Sequence, residues 1–320
     1  MLDPSILCAA WNLPPIRSSR LAETGTIHQT YLLDISDGSR YALRAYRHTA
    51  EKYERIVQEH VLCTFVRDHG LPALAPVPLL TGETILEYEE RFYALFPFAE
   101  GSQVPRGQLD AREIAAMGHF LGELHHVLHA YPHAPLERQP WVLDRAEIFA
   151  RLDVTVRAIR AREQLDGDDQ RALSRLIQMR TWLLETQPID LTAFAHLERQ
   201  IIHGDYQETN LFFVDGKVSA IIDWDQAYAA PRAWEVMRTL HYAGKLAADF
   251  CQTFLASYRQ AHPLPQEELD CTAAVYGWMH DHNLWVPEEL YLRSNERVRA
   301  LLEPGDSFIP FAERWAALSL

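Results

Sequence analysis

Ile201-Ile202-His203-Gly204-Asp205-Tyr206-Gln207-Glu208-Thr209-Asn210, running into Leu211-Phe212-Phe213-Val214, and then Ala220-Ile221-Ile222-Asp223-Trp224-Asp225, decide how this chain is read. Asp215-Gly216 between the two apolar runs is a hairpin signal. Asn210 opens one strand of that hairpin and Asp223 closes its mate, so antiparallel pairing brings the two together. An amide oxygen beside a carboxylate is a pair of hard oxygen ligands suited to magnesium. Asp205 precedes Asn210 on a loop and is positioned to accept a proton from a hydroxyl near that metal. Each of these residues alone reads as an ordinary turn or cap; the combination reads as a site for phosphoryl transfer, which asks for a positioned nucleophile, neutralised phosphates and a shielded cleft.

Outward from this island the chain divides. The first hundred residues read mostly as strands: Tyr31 to Ile35 and Arg40 to Arg47 flank Ser36-Asp37-Gly38-Ser39, and Thr84 to Tyr88 and Arg91 to Phe98 flank Glu89-Glu90. A helix from Glu51 to Asp68 lies between these pairs, with Val57, Val61, Leu62, Phe65 and Val66 as its apolar stripe. Glu100-Gly101-Ser102 breaks the pattern, and the rest reads as helical: Asp110 to Tyr131 with a capping signal at Asp110 and Glu113, polar helices over Asp144 to Thr186, and helices from Ala233 to the end. The expected fold class is α+β, with a small antiparallel-sheet N-lobe carrying one helix (1–98) and a larger, mainly helical C-lobe (99–320).

The totals agree with two such lobes. The chain has 320 residues, 48% of them hydrophobic, with 8 Trp, 13 Tyr and 13 Phe, enough for a buried interior. Its 44 acidic and 30 basic residues give a formal charge of −14, which disfavours nucleic acid and anionic membranes as partners and would draw in a cationic substrate. Four scattered cysteines, no signal-like N-terminus and no long apolar run point to a cytoplasmic protein.

His203-Gly204-Asp205…Asn210 and Ile222-Asp223-Trp224-Asp225 resemble the catalytic and metal motifs of the aminoglycoside phosphotransferase and choline/homoserine kinase superfamily, over about Arg20 to Tyr242. The resemblance implies a bilobal, protein-kinase-like fold and an ATP- and magnesium-dependent enzyme. It makes Asp205 the catalytic base and Asn210 and Asp223 the magnesium ligands. His203 would order the loop, and Asp225 would support the metal site, a substrate or the local structure. Arg44 stands where these enzymes hold the nucleotide phosphates, a departure from the lysine of protein kinases. Arginine still offers a permanent charge and a forked donor set. Glu59 is its expected helix partner, with Glu54 a competitor. Glu23 to Thr30, with Gly25, takes the place of the phosphate-covering loop but is poor in glycine. In the connector, Pro97 C=O and Ala99 N–H would read an adenine edge, with Phe96 behind it.

Other clusters offer rival sites. His125, His129 and His133 have a spacing used by zinc ligands, although Leu124-His125 also resembles a helix end of the same superfamily. His280-Asp281-His282 lacks a third ligand at clear spacing and reads as a polar helix face. Asp281, Glu288, Glu289 and Glu296, with Trp278, Trp285 and Tyr291, suit an ammonium-bearing alcohol, such as an amino alcohol, an aminoglycoside or a homoserine-like acceptor, or else are packing aromatics and surface acids. A Ser/Thr protein kinase and a non-catalytic nucleotide-binding protein are the alternatives. The short stretch between Asp223 and Pro231 leaves no evident activation segment, which disfavours the first. An intact Asp205, Asn210 and Asp223 argues against the second.

Overall fold

The computed structural model describes residues 2–22, 28–47, 53–132, 143–303 and 305–318. Five antiparallel strands form the sheet of the first half: β1 (Ile16–Leu21), β2 (Gln29–Ile35), β3 (Arg40–Ala45), β4 (Leu86–Tyr88) and β5 (Arg91–Pro97), in the order β1-β2-β3-β5-β4. The β2–β3 turn is the Ser36–Ser39 segment, where Gly38 takes φ 93° and the Asp37 carboxylate accepts from Ser39 N–H. Glu89 and Glu90 turn the β4–β5 hairpin, both at positive φ. The helix expected from Glu51 is α2 (Tyr53–Asp68); Glu51 itself lies outside the described residues.

The described residues of this half hold two helices rather than the one expected. The addition is α1 (Pro4–Trp11), capped by the Asp3 carboxylate on Ser5 N–H, with Pro4 in the first turn. Leu7 and Trp11 bury against Leu33, Ile35, Leu43 and Leu95 of the sheet, and the Trp11 indole N–H donates to Val77 O. The α1 packing closes a sheet face that would otherwise be wet.

The helical half contains α3 (Ala111–His129), α4 (Arg145–Arg160), α5 (Gly167–Glu185), α6 (Thr192–Ala195), α7 (Arg232–Tyr242), α8 (Ala248–Ala261), α9 (Gln266–Asp281), α10 (Trp285–Leu292) and α11 (Phe311–Ala316). Asp110 and Glu113 do form the expected capping box of α3. The α3 helix packs on α8 so closely that a methyl at Gly118 would overlap the Phe254 carbonyl, and one at Gly122 would press on Ala261 and the Tyr258 carbonyl. Two short antiparallel ribbons lie among these helices: β7 (Leu211–Val214) with β8 (Lys217–Ile221), the predicted hairpin, and β6 (Arg199–Ile202) with β9 (Tyr228–Pro231), a long-range pairing outside the expected island.

The halves are stitched by main chain. Ile221 N–H donates to Pro72 O, Ala73 bridges Ile221, and Ser102 exchanges both hydrogen bonds with Phe213. The segment after α2 and the connector are thus fixed to the β7–β8 hairpin that carries the motif residues.

Candidate active site

The loop from His203 to Asn210 leaves β6 through Gly204, at φ 82°, where a methyl would overlap the Gln226 carbonyl. Only glycine fits this close approach. Glu208–Asn210 closes the loop as a 3-10 turn into β7. Asp205 Oδ2 accepts from the Asn210 side-chain N–H₂ and the Gln207 amide, each at 2.9 Å. Asn210 Nδ2 also donates to Asp205 O at 2.8 Å. With its amide nitrogen committed to Asp205, Asn210 turns its Oδ1 the other way, which is the orientation a cation ligand needs.

Asp223 follows β8 in the left-handed region, φ 68°. Such strain in a non-glycine residue persists only where the surroundings impose it. Here they do: Ile222 N–H donates to Asn210 O, and His203 Nε2 hydrogen-bonds Ile222 O, both at 3.0 Å. His203 therefore orders the loop, as expected of it, and joins the two motifs. Asp223 remains about two-fifths exposed, with a side-chain exposure of 38%.

Arg44, on β3, is nearly buried and spans two carboxylates: Nη1 meets Glu59 Oε1 and Nη2 meets Asp223 Oδ1, both at 2.6 Å. The structure thus pairs Arg44 with Glu59, not Glu54, and brings Arg44 to Asp223. Burial opposes the charge on Arg44, but Glu59, Tyr46 and Asp223 more than restore it, so its pKa rises. Burial pushes the Glu59 carboxyl up to about 7 against the pull of Arg44, with Asp225 and Asp223 adding repulsion. Behind the pair, Tyr46 OH meets His60 Nε2 at 3.0 Å, and burial drives His60 down to about 3, so this ring is neutral. Asp225 is buried 3.8 Å from His28, and its main-chain oxygen accepts two N–H groups of Arg55 from α2. These main-chain bonds tie α2 to the turn that follows Asp223.

In the connector, Phe98 N–H donates to Arg40 O on β3. Backbone alternation then faces Pro97 C=O and Ala99 N–H the opposite way, on the edge where Leu95 O already accepts Val77 N–H. Phe96 packs edge-on to His60 at 5.7 Å between ring centroids. Gly25 lies outside the described residues.

Two residues of the site went unseen in the sequence. Glu235 of α7 is fully buried beneath the loop, accepting from His203 N–H and His125 Nε2 at 3.0 Å and from Gly204 N–H at 2.5 Å. Burial alone would raise its pKa; His125, His203 and the Gly204 N–H outweigh burial and lower it. His125 leans on Tyr258 OH at 2.8 Å, so it is a structural link between α3, α7 and α8 and not a zinc ligand. His129 pairs loosely with Glu198, and His133 lies outside the described residues. Arg238, one helical turn beyond Glu235, places Nη2 2.7 Å from Asp205 Oδ1. The signal for Glu235 was its setting in Ala233-Trp234-Glu235-Val236-Met237, a stretch of helix apolar on nearly all sides, where a charge must find a partner.

Elsewhere, His241, His280 and Glu303 hold ligand atoms within 4.8 Å of one another. Arg175 at 2.9 Å and Arg314 at 3.6 Å already neutralise Glu303, which leaves no charge deficit for a metal to fill. His282 hydrogen-bonds Trp278 O in the core.

Residues 19–267 match the model of the family described as the phosphotransferase enzyme family. The chain belongs to this family. Its relatives include Stress response kinase A of Escherichia coli K12, 21% identical over 221 residues, covering 67% of this chain and 60% of that protein. The chain thus spans less than two thirds of the length of the curated relatives it matches. The serine/threonine protein kinase RdoA of Salmonella typhimurium is 29% identical over a shorter stretch, 31% of this chain and 29% of that protein. In fold, the phosphotransferase resembles the aminoglycoside phosphotransferase from Alicyclobacillus acidocaldarius (TM-score 0.68, 15% identity, covering 100% and 95% of the two chains). It also resembles an amicoumacin kinase solved in complex with AMP-PNP, Ca2+ and Ami (TM-score 0.64, 14% identity, covering 97% and 95%). The bilobal, protein-kinase-like fold expected from the motifs is the fold found. No helix of the described residues is long and apolar enough to cross a membrane.

Proposed function

We propose that this phosphotransferase moves the γ-phosphoryl group of ATP, with magnesium, to a hydroxyl of a small molecule. The observation that carries the proposal is the convergence of Asp205, Asn210 and Asp223 through side-chain and main-chain hydrogen bonds, at the end of an Arg44–Glu59 pair. The donor set suits a hard divalent cation: one amide oxygen and one half-exposed carboxylate. Asn210 and Asp223 would hold magnesium, which with ATP supplies the transferable group and neutralises its charge. Residues 1–98 form the nucleotide lobe, with Arg44 holding phosphates, Glu59 fixing Arg44, the Gly25 segment covering the phosphates, and Phe96, Pro97 and Ala99 receiving the adenine. Residues 99–320 supply the acceptor side. Asp205 offers about four acceptor positions, three of them filled by Arg238, Gln207 and Asn210. The fourth is left for the acceptor hydroxyl, which Asp205 orients and whose proton it takes. Its four free thiols and its need for ATP suit the cytoplasm.

A protein acceptor is the second reading, favoured by the names of the curated relatives. Against it, Asp223 leads through one 3-10 turn (Trp224–Gln226) into β9 and α7. From Trp224 to Pro231 every residue is buried apart from Gln226 at the turn's end, with no segment to dock a peptide.

The test is Asp205→Asn. Phosphoryl transfer should be abolished while magnesium-dependent nucleotide binding, followed by calorimetry, persists. Turnover retained in this variant removes Asp205 as the base.

A further inference from the structure

The acceptor side of Asp205 is built for a negative charge. The carboxylates at the C-terminal end that would attract a cationic acceptor are spoken for. Glu288 is held by both arms of Arg151 at 2.7 Å, Glu289 pairs with Arg293, Glu296 pairs with Arg299 at 2.8 Å, and buried Asp281 caps Phe311 N–H. What stands beside Asp205 instead is a cation. Arg238 Nη2 lies on Asp205 Oδ1, and its side chain is one quarter exposed, against the ring of Tyr242 at 5.0 Å. Tyr242 is itself exposed. Arg238 Nη1 is buried with no hydrogen-bond partner among the described residues. On the other flank, Arg106 Nη2 holds Gln207 Oε1 at 2.7 Å, and Gln207 in turn holds Asp205; Glu208 lies 4.0 Å from Arg106.

The chemistry sharpens this. In the transfer, the acceptor hydroxyl oxygen bonds to the γ-phosphorus, the bond from phosphorus to the bridging oxygen breaks, and that oxygen leaves with ADP. The hydroxyl proton passes to Asp205. Asp205 is then neutral, and Arg238, with its second nitrogen already buried and unpartnered among the described residues, must be met by other anions: the new phosphoryl group on one side and a group of the acceptor on the other. An ammonium group there would make matters worse.

We propose that the acceptor is a hydroxy compound bearing an anionic group, carboxylate or phosphate, within a few bonds of the phosphorylated hydroxyl, and that Arg238 binds that group. This rests on the phosphotransfer reading above. Arginine's planar fork matches either oxyanion.

The experiment separates a bacterial small-molecule extract by ion exchange into acidic, neutral and basic pools. Each pool is incubated with the enzyme, magnesium and γ-labelled ATP. The labelled product is then identified, and its carboxylate or phosphate distinguishes the two sources of charge. Label should enter a compound that carries a carboxylate or phosphate, from the acidic pool or, for a zwitterion, the neutral one. A labelled acceptor with neither group overturns the inference while leaving the kinase reading intact; label from no pool overturns both. With the acceptor identified, Arg238→Met should raise its KM roughly 10- to 100-fold. The KM for ATP should stay unchanged, and Arg238→Lys should recover part of the loss. An unchanged acceptor KM in Arg238→Met, or an equal rise in the KM for ATP, refutes the assignment.

Discussion

Replacing Glu235 with Gln tests whether the catalytic loop is held from below. The side chain keeps its shape but loses its charge and one acceptor oxygen. In the native protein three donors converge on it: His203 N–H and His125 Nε2 on one oxygen, Gly204 N–H on the other. The amide nitrogen introduced by Glu235→Gln must face one of these sets. His125 can shift its proton and become an acceptor; the two main-chain N–H groups cannot. At least one buried main-chain donor is therefore left opposite another donor, and the remaining bonds lose their charge assistance. An unmet buried donor costs about 1–3 kcal/mol, and removal of one member of a buried charged network about 3–5 kcal/mol. The expected loss is about 3–5 kcal/mol out of a total stability of about 5–15 kcal/mol. For a chain of this size that lowers the apparent melting temperature by about 4–7 °C, read by scanning fluorimetry with urea unfolding as a check. Because the donors belong to the residues just before Asp205, kcat should fall at least about tenfold, with nucleotide affinity nearly unchanged. The double variant with His125→Asn should be less destabilised than the sum of the singles, as contacting residues are. A melting temperature within about 2 °C of the wild type, taken with kcat within about twofold, would refute the argument, since that is the range of an ordinary surface substitution.

The close packing of α3 on α8 predicts that Gly118→Ala destabilises by about 1–3 kcal/mol, because the methyl meets the Phe254 main chain and no rotamer relieves it. Gly167→Ala, where only the end of the Arg171 side chain is near, should be neutral or slightly stabilising; equal effects of the two in urea unfolding would sink the packing argument. His60 and His241 are buried and held down to about 3 from an ordinary 6.5, so each contributes stability that is complete above pH 6.5 and is lost as the pH falls toward 3. Each adds a slope of about 1.4 kcal/mol per pH unit below 6.5. Asp281, pushed up to about 6 by burial, and Glu59, pushed up to about 7, act in the opposite sense below those pH values. Urea unfolding at pH 7, 6 and 5 should show His60→Gln losing less stability with falling pH than the wild type; an identical pH dependence in that variant would exclude His60 as a source.

What could be read in the sequence was what is local. The Asp-Gly turns, the extended runs that became β2, β3 and β5, the capping box of α3, and polar residues at the tips of apolar strands are patterns within a few positions, and each was found where expected. The pairing of Arg44 with Glu59 followed because one strand and one helix leave few choices. The rest depends on residues distant in sequence. The β6–β9 ribbon joins Arg199–Ile202 to an alanine-rich strand ending in Pro231, which carries no alternation of its own. Arg238 reads as one more surface charge until α7 is laid under the loop. Glu288 of α10 reads as part of a cation-attracting surface because its partner, Arg151, comes from α4. Besides the setting of Glu235, α1 left a local signal unused: Asp3-Pro4-Ser5, a cap followed by a helix-starting proline.

The departure at Arg44 acquires a physical reason from the same geometry. A lysine ammonium is a compact point charge, whereas the guanidinium sends Nη1 to Glu59 on α2 and Nη2 to Asp223 after β8, two carboxylates approached from different halves of the fold. Arg55 adds a second tie from α2 to the same turn through Asp225 O and Ala227 O. The helix, Arg44 and the turn bearing Asp223 are thus tied to one another. The chain Glu59–Arg44–Asp223 also counts two negative charges against one positive. The shortfall shows at its buried end as the elevated pKa of Glu59, driven by burial and by repulsion from Asp225 and Asp223. At its open end stands Asp223, 38% exposed and in the left-handed region at φ 68°. Two carboxylates sharing one guanidinium thus leave a net negative charge whose exposed end is Asp223.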